Sequence, residues 1–264
     1  MKIGFIGAGN MGGAILRGLV SGGFRGGDIL VYDKDSSKLM QLFEDCGIVI
    51  ASSAEEVAEQ ADTVVLAVKP QMLSSVLPPL AQTLGRRSPL VLSIAAGKPL
   101  EWIEELLGNG LPLVRVMPNI SARVGEGMAA FCSNSNVTDS HKKTVRMIFE
   151  AVGQIIELDE HLFPAFTSIA GCSPAFTLMY IDALAEAGVR YGIPKAAALN
   201  IAAQSVLGTT RLWQETGEHP RALLDQVCSP GGTTIEGVCA LQRNGFENAV
   251  LEAVRASFEK DNKL

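Results

Sequence analysis

The residues best suited to chemistry lie in two glycine-rich stretches near opposite ends of the chain. The first is Gly7-Ala8-Gly9-Asn10-Met11-Gly12, a G-x-G-x-x-G pattern. It directly follows the apolar run Ile3-Gly4-Phe5-Ile6 and opens an amphipathic stretch, which is the strand–turn–helix context that gives the pattern meaning. In that setting Gly7 permits a tight turn, Gly9 lets backbone approach a pyrophosphate, and Gly12 lets helix and strand pack closely. Free N–H groups and the positive end of the helix dipole then face the phosphates. The expected ligand is a dinucleotide; the bland alternative is a plain glycine-rich turn.

Downstream strand ends supply further candidates. Asp33 lies about twenty residues beyond Gly12, where an acidic side chain takes the ribose 2′-hydroxyl of NAD. Lys34, Ser36, Ser37 and Lys38 follow at once and suit a 2′-phosphate instead. A carboxylate beside that phosphate repels it unless Asp33 points away, and Asp33-x-Asp35-Ser36 also reads as a turn and helix cap. Ala67-Val68-Lys69-Pro70 closes another apolar run. Ligands of open α/β sheets lie beyond the carboxyl ends of the strands, so Lys69 can reach the cofactor, or can be an ordinary exposed lysine. Ser93-Ile94-Ala95-Ala96-Gly97 offers small residues that leave room for a nicotinamide ring. Asn119, in Met117-Pro118-Asn119, either bonds the carboxamide or caps a turn.

The second stretch is Cys228-Ser229-Pro230-Gly231-Gly232-Thr233-Thr234-Ile235-Glu236, a flexible turn running straight into a helix. The first N–H groups of that helix have no intrahelical partners. Those around Gly232 and Thr233 can hold a carboxylate, and the Thr234 hydroxyl can hydrogen-bond a reacting atom. The competing reading is a capping box, Thr233-x-x-Glu236. Glu160 is a weaker substrate-side candidate, equally readable as a surface carboxylate before a helix. His141, His161 and His219 stand in polar settings and are not expected to be catalytic.

These side chains must be held by two kinds of framework. Residues 1–159 alternate short apolar runs (3–6, 29–32, 64–68, 90–95, 114–117, with 128–132 and 154–157 as further strands) with helical stretches (12–20, 36–46, 54–61, 71–77, 100–107). Runs without polar alternation suit parallel strands buried on both faces, so the expected fold is α/β, a Rossmann-type doubly wound parallel sheet. Residues 160–264 read as helix throughout: 162–170, 173–191, 194–216, 220–227, 233–244 and 245–260. The run 196–210 carries no charge, and a helix neutral all round must be buried. So small a helical unit has little interior, so it is expected to pack against a second copy of itself.

The bulk properties set boundaries. Hydrophobic residues make up 47% and charged residues 19%, ample for a core and opposite to disorder. The formal net charge is −6 with no long basic run, which argues against a nucleic-acid partner. The five cysteines show no C-x-x-C spacing, so neither a metal site nor a disulfide framework is expected, and reduced thiols fit the cytoplasm. The start of the chain lacks signal-peptide grammar. The uncharged run 162–181 contains Pro164, Gly171 and Pro174, which suits a buried or subunit-facing segment better than a membrane span.

Taken in order, Ile6-Gly7-Ala8-Gly9-Asn10-Met11-Gly12, Ala67-Val68-Lys69-Pro70, Ser93-Ile94-Ala95-Ala96-Gly97, Met117-Pro118-Asn119, Gly171-x-Ser173-Pro174-Ala175 and Ser229-Pro230-Gly231-Gly232-Thr233-Thr234 resemble the pyrroline-5-carboxylate reductases. The resemblance spans nearly the whole chain. It implies a Rossmann domain followed by a helical domain interlocked with a partner subunit, and NADPH, less often NADH, as hydride donor. It implies pyrroline-5-carboxylate as substrate, reduced to L-proline in the last step of proline biosynthesis. It places the substrate on Gly231, Gly232, Thr233 and Thr234, and the cofactor on the glycine loop and on residues near Val68, Lys69 and Ala96. Dimers, often five in a ring, are the implied assembly.

Two rivals share this outline. A β-hydroxyacid dehydrogenase or related imine reductase would carry a lysine in the first long helix of the second domain, and 173–191 contains none. A non-catalytic dinucleotide-binding regulator would have no need of an intact Thr234 loop.

Overall fold

Short Val-, Ile- and Leu-rich runs form the strands of one eight-stranded sheet: β1 (Ile3–Ile6), β2 (Ile29–Tyr32), β3 (Val49–Ile50), β4 (Thr63–Leu66), β5 (Leu90–Ser93), β6 (Leu113–Met117), β7 (Gly127–Ser133) and β8 (Gly153–Glu157). Their order is β3-β2-β1-β4-β5-β6-β7-β8. β1 and β4 are neighbours, so the winding direction reverses between them, and the crevice above that reversal is where a doubly wound sheet binds its ligand. The sheet is mixed rather than wholly parallel: β6 and β7 are antiparallel, and β8 pairs parallel to β7. The computed structural model describes residues 1–263.

Helices cover both faces. On one lie α1 (Asn10–Ser21), α2 (Ser36–Cys46) and α6 (Asp139–Glu150), whose Ile15, Leu19, Leu39, Ile148 and Phe149 join Phe5, Val31 and Phe131 in one buried cluster. On the other lie α3 (Ala54–Gln60), α4 (Leu73–Arg87) and α5 (Leu100–Leu107), which bury Val57, Leu77, Leu84 and Ile103 against Ile6, Val64 and Leu66. Burial of the strands on both faces explains their unbroken apolar sequence.

The chain divides into two compact units, one of residues Met1–Gly171 with the residues from Asp261 on, the other of Cys172–Lys260. The first unit runs on to Gly171 because the short helix α7 (Phe163–Phe166) is anchored in it: Phe163 and Phe166 are buried in the second sheet-face cluster. A π turn, Thr167–Gly171, follows it.

The helical unit holds α8 (Ser173–Arg190), α9 (Lys195–Thr216), α10 (Pro220–Val227), α11 (Thr233–Arg243) and α12 (Phe246–Asp261). α8 and α9 approach closely because their contact is built from small residues: Ala185, Ala198 and Ala202 are buried, and a β-carbon at Gly188 would lie 3.2 Å from that of Ala198. Lys195 pairs with Asp182 across the same hairpin at 2.7 Å. Little else in this unit is buried, and large apolar side chains stand open on the single chain, among them Leu178, Met179 and Ile201 at 66, 73 and 58% exposure. The helical run Glu160–Arg190 is apolar and long enough to cross a membrane by composition alone. The excess apolar surface on both α8 and α9 is what a protein–protein contact requires.

Candidate functional site

At the winding reversal, the backbone at Gly7 turns with φ +105°, and its N–H donates to the Tyr32 carbonyl at 2.8 Å. A β-carbon there would lie 2.6 Å from the Ala67 carbonyl, so the loop passes β4 at a distance only glycine permits. Gly12 meets a similar limit, with its missing β-carbon 2.9 Å from the Gly7 oxygen and 3.0 Å from Ala67 Cβ. Gly9 is different: a β-carbon would meet nothing within 4 Å. Its openness faces the space a ligand would take.

Gly9 is also the N-cap of α1. No side chain caps this end, and the first turn contains no acid. The N–H groups of Asn10, Met11 and Gly12 therefore keep their donor capacity and the positive end of the helix dipole is unopposed, a cradle that fits a pyrophosphate.

Asp33, at the end of β2, reaches into the loop. Its Oδ2 accepts the Ala8 N–H at 2.6 Å and its Oδ1 accepts the Asp35 N–H at 2.9 Å. Asp35 in turn caps α2 through the Ser37 N–H and pairs with Lys38 at 3.3 Å. Lys34 is exposed. Lys69 is exposed in extended backbone just beyond β4, with Val68 half-buried beside it, and Ala96 is exposed beyond β5, ahead of Gly97 at φ +69°. The strands thus bring Ile6, the glycine loop, Asp33, Val68, Lys69 and Ala96 to one edge of the sheet.

Two polar candidates are engaged within the fold. Asn119, 9% exposed, accepts the Met128 N–H on Oδ1 at 3.1 Å and donates from Nδ2 to the Ala170 carbonyl at 2.9 Å. Glu160 Oε1 accepts the Leu100 N–H at the start of α5 and an Arg115 N–H, each at 2.9 Å. Arg115 lies over the Phe163 ring, so this pair is largely sheltered. Apart from Met128, nine residues from Asn119, these partners lie 45 to 60 residues away, so local pattern carried no sign of them. Cys132 is buried, and that burial pushes its thiol up to about 12, which makes it inert as a nucleophile.

Within the helical unit, Gly231 adopts φ +67° and the Gly232 N–H donates to the Ser229 carbonyl at 3.0 Å, folding the Ser-Pro-Gly-Gly segment back on itself. The capping-box reading does not hold: Gly232 is the N-cap of α11 and no side chain bonds to the cap. Thr233 and Thr234 lie in the first helical turn, both exposed, and no side chain caps the N–H groups of that turn. A polar tip of this kind can take a carboxylate and a hydrogen-bond acceptor together.

A dinucleotide cradle at the reversal of a doubly wound sheet, combined with a helical unit whose apolar helices need a partner, is the outline of a dinucleotide-dependent oxidoreductase that associates through its helices. A family model described as pyrroline-5-carboxylate reductase dimerisation matches residues 160–264, and one described as NADP oxidoreductase, coenzyme F420-dependent, matches residues 2–97. The pyrroline-5-carboxylate reductase of Escherichia coli (strain K12) is 44% identical over 264 residues, covering 100% of this chain and 98% of its own. A solved pyrroline-5-carboxylate reductase from Coxiella burnetii superposes with TM-score 0.95 at 32% identity, over 99% of this chain and 97% of that one. The Plasmodium falciparum enzyme, solved with NADP bound, gives 0.87 at 34% identity over the same shares. The chain belongs to the pyrroline-5-carboxylate reductase family. It is an NAD(P)H-dependent oxidoreductase acting on CH–NH groups, it serves proline biosynthesis, and its helical half makes it a homo-oligomer.

Proposed function

We propose how these residues divide the reduction of 1-pyrroline-5-carboxylate to L-proline. The observation that carries the assignment is the uncapped start of α11, where Thr233 and Thr234 are exposed beside free N–H groups. Backbone N–H groups of Gly231 and Thr233 hold the substrate carboxylate, Gly232 shapes the turn through its own N–H bond to the Ser229 carbonyl, and Thr234 hydrogen-bonds and orients the ring nitrogen. Imine nitrogens are basic enough to take a proton without a strong enzyme acid, which accounts for a site with no His–Asp pair. NADPH, when bound, supplies the hydride that reduces the imine carbon. The protein's share is positioning, which in ideal cases contributes about 7–11 kcal/mol of barrier reduction.

On the cofactor side, Gly7, Gly9, Asn10, Met11 and Gly12 take the pyrophosphate, with Ile6, Val68, Lys69 and Ala96 lining the approach. Asp33 serves by fastening the loop, since both of its oxygens accept backbone N–H groups. Lys34 and Ser36 are the groups available to a 2′-phosphate. Glu160 keeps only Oε2 for a substrate contact, because its Oε1 already holds Leu100 and Arg115. The assembly is a dimer formed by the helical unit, with five dimers in a ring as the family's larger form, in the cytoplasm.

Assay of the purified protein with pyrroline-5-carboxylate, running NADPH and NADH side by side, tests this reading. Thr234→Ala should lower kcat roughly 100-fold with NADPH affinity retained. Full activity in that variant would remove Thr234 from the mechanism.

A further inference from the structure

Asn119 stands at the carboxyl end of β6, on the side of the sheet that serves the nicotinamide half of a dinucleotide. Its amide joins three segments that are separate in sequence. Oδ1 holds the Met128 N–H at the start of β7, and Nδ2 holds the carbonyl of Ala170. Ala170 lies in the π turn Thr167–Gly171, where the regular i→i−4 ladder of the helical run is broken. Such turns recur at functional sites because they offer main-chain groups that a regular helix would hide.

A packing contact joins the same segments. A β-carbon at Gly171 would lie 3.3 Å from Thr167 Cγ2 and 3.9 Å from Met117 Cε, so the Met117 side chain ends beside Gly171. Among the described residues, no buried side-chain polar atom near Asn119 is left unsatisfied. Both polar atoms of the amide thus have partners within the fold.

We propose that Asn119 is a positioning residue: it locks the Met117-Pro118 end of β6 to the π turn, and so fixes the edge against which the nicotinamide must lie for hydride transfer. This rests on the assignment of the β5 and β6 ends to the nicotinamide side. It differs from direct carboxamide binding in what it predicts. A positioning residue affects how well the reactants are aligned, and a displacement of about 1 Å can cost on the order of 100-fold in rate. A cofactor ligand affects affinity, and a purely structural residue affects only stability.

Two variants separate these. Asn119→Ala removes both bonds. Asn119→Asp keeps the volume and the acceptor for Met128 but loses the donor to Ala170 and sets a carboxylate against that carbonyl, so the Tm of each variant is read first to show that it is folded. Both should lower kcat roughly 30- to 100-fold, while the Kd for NADPH, read from its fluorescence, changes less than about threefold. The introduced carboxyl should recover part of its kcat, relative to the natural chain at each pH, as pH falls toward ~4–6, because its protonated form can again donate to the carbonyl. Unchanged kcat with a lower Tm would overturn the proposal in favour of a structural role. A tenfold weaker NADPH Kd at unchanged kcat would overturn it in favour of a cofactor ligand. Inactivity of the natural chain on pyrroline-5-carboxylate would count against the functional reading itself.

Discussion

The side chain of Asp33 shows how one residue can carry two incompatible expectations until its bonds are seen. Its spacing from Gly12 suits a ribose contact, and its neighbours Lys34 and Ser36 suit a phosphate. With the carboxylate engaged by the Ala8 and Asp35 N–H groups, Asp33→Ala should loosen the glycine loop. KM is then expected to rise for NADPH and NADH together; a rise for NADH alone would restore the ribose contact. Cys132 allows a second test. With its thiol held near 12 by burial, it should stay unalkylated by iodoacetamide at mildly alkaline pH in the native protein and react only on unfolding, as mass spectrometry can read. At this scale the sequence exposed what depends on backbone freedom: Gly7 makes the tight turn and Gly12 the close approach that their pattern implies. It did not expose the partners of Asn119 and Glu160, because those bonds reach up to 51 and 60 residues away and depend on the assembled sheet.

Elements were legible where clear breaks bounded them, whereas α4 runs through Pro78 and Pro79 to Arg87, past the expected end at Leu77. β1, β2, α2, α5 and α10 have the bounds their sequence implies. β3 went unmarked because it is two residues long with both side chains exposed, which gives no periodic signal. α6 was also unmarked: its polar, low-hydropathy sequence buries only Val145, Ile148 and Phe149, though their i, i+3, i+4 spacing and the Thr138 cap were there to read. Strand direction cannot be read from composition, so the reversal at β6–β7 emerged only from the pairing. The α8–α9 hairpin yields a prediction at its own scale. Gly188→Val would force a side chain into the gap before Ala198 and Ile193, and overpacking of this kind costs about 1–3 kcal/mol. A Tm lowered by several degrees at fixed protein concentration is expected; an unchanged Tm would mean the helices separate without cost.

For the molecule as a whole, the governing fact is the apolar surface that a single chain leaves open on its helical half. Leu178→Asp with Met179→Asp should reduce the particle mass measured by light scattering, because a charge in a desolvated contact is costly. Unchanged mass would place these residues outside the oligomer contact. The same surface has a genetic consequence. Protomers that need a partner are shared out at random, so a chain carrying Thr234→Ala, made alongside the natural chain, should draw natural subunits into mixed particles. Whether one defective chain silences its partner or leaves it working would then appear directly in the growth of proline-requiring cells, as dominance or its absence.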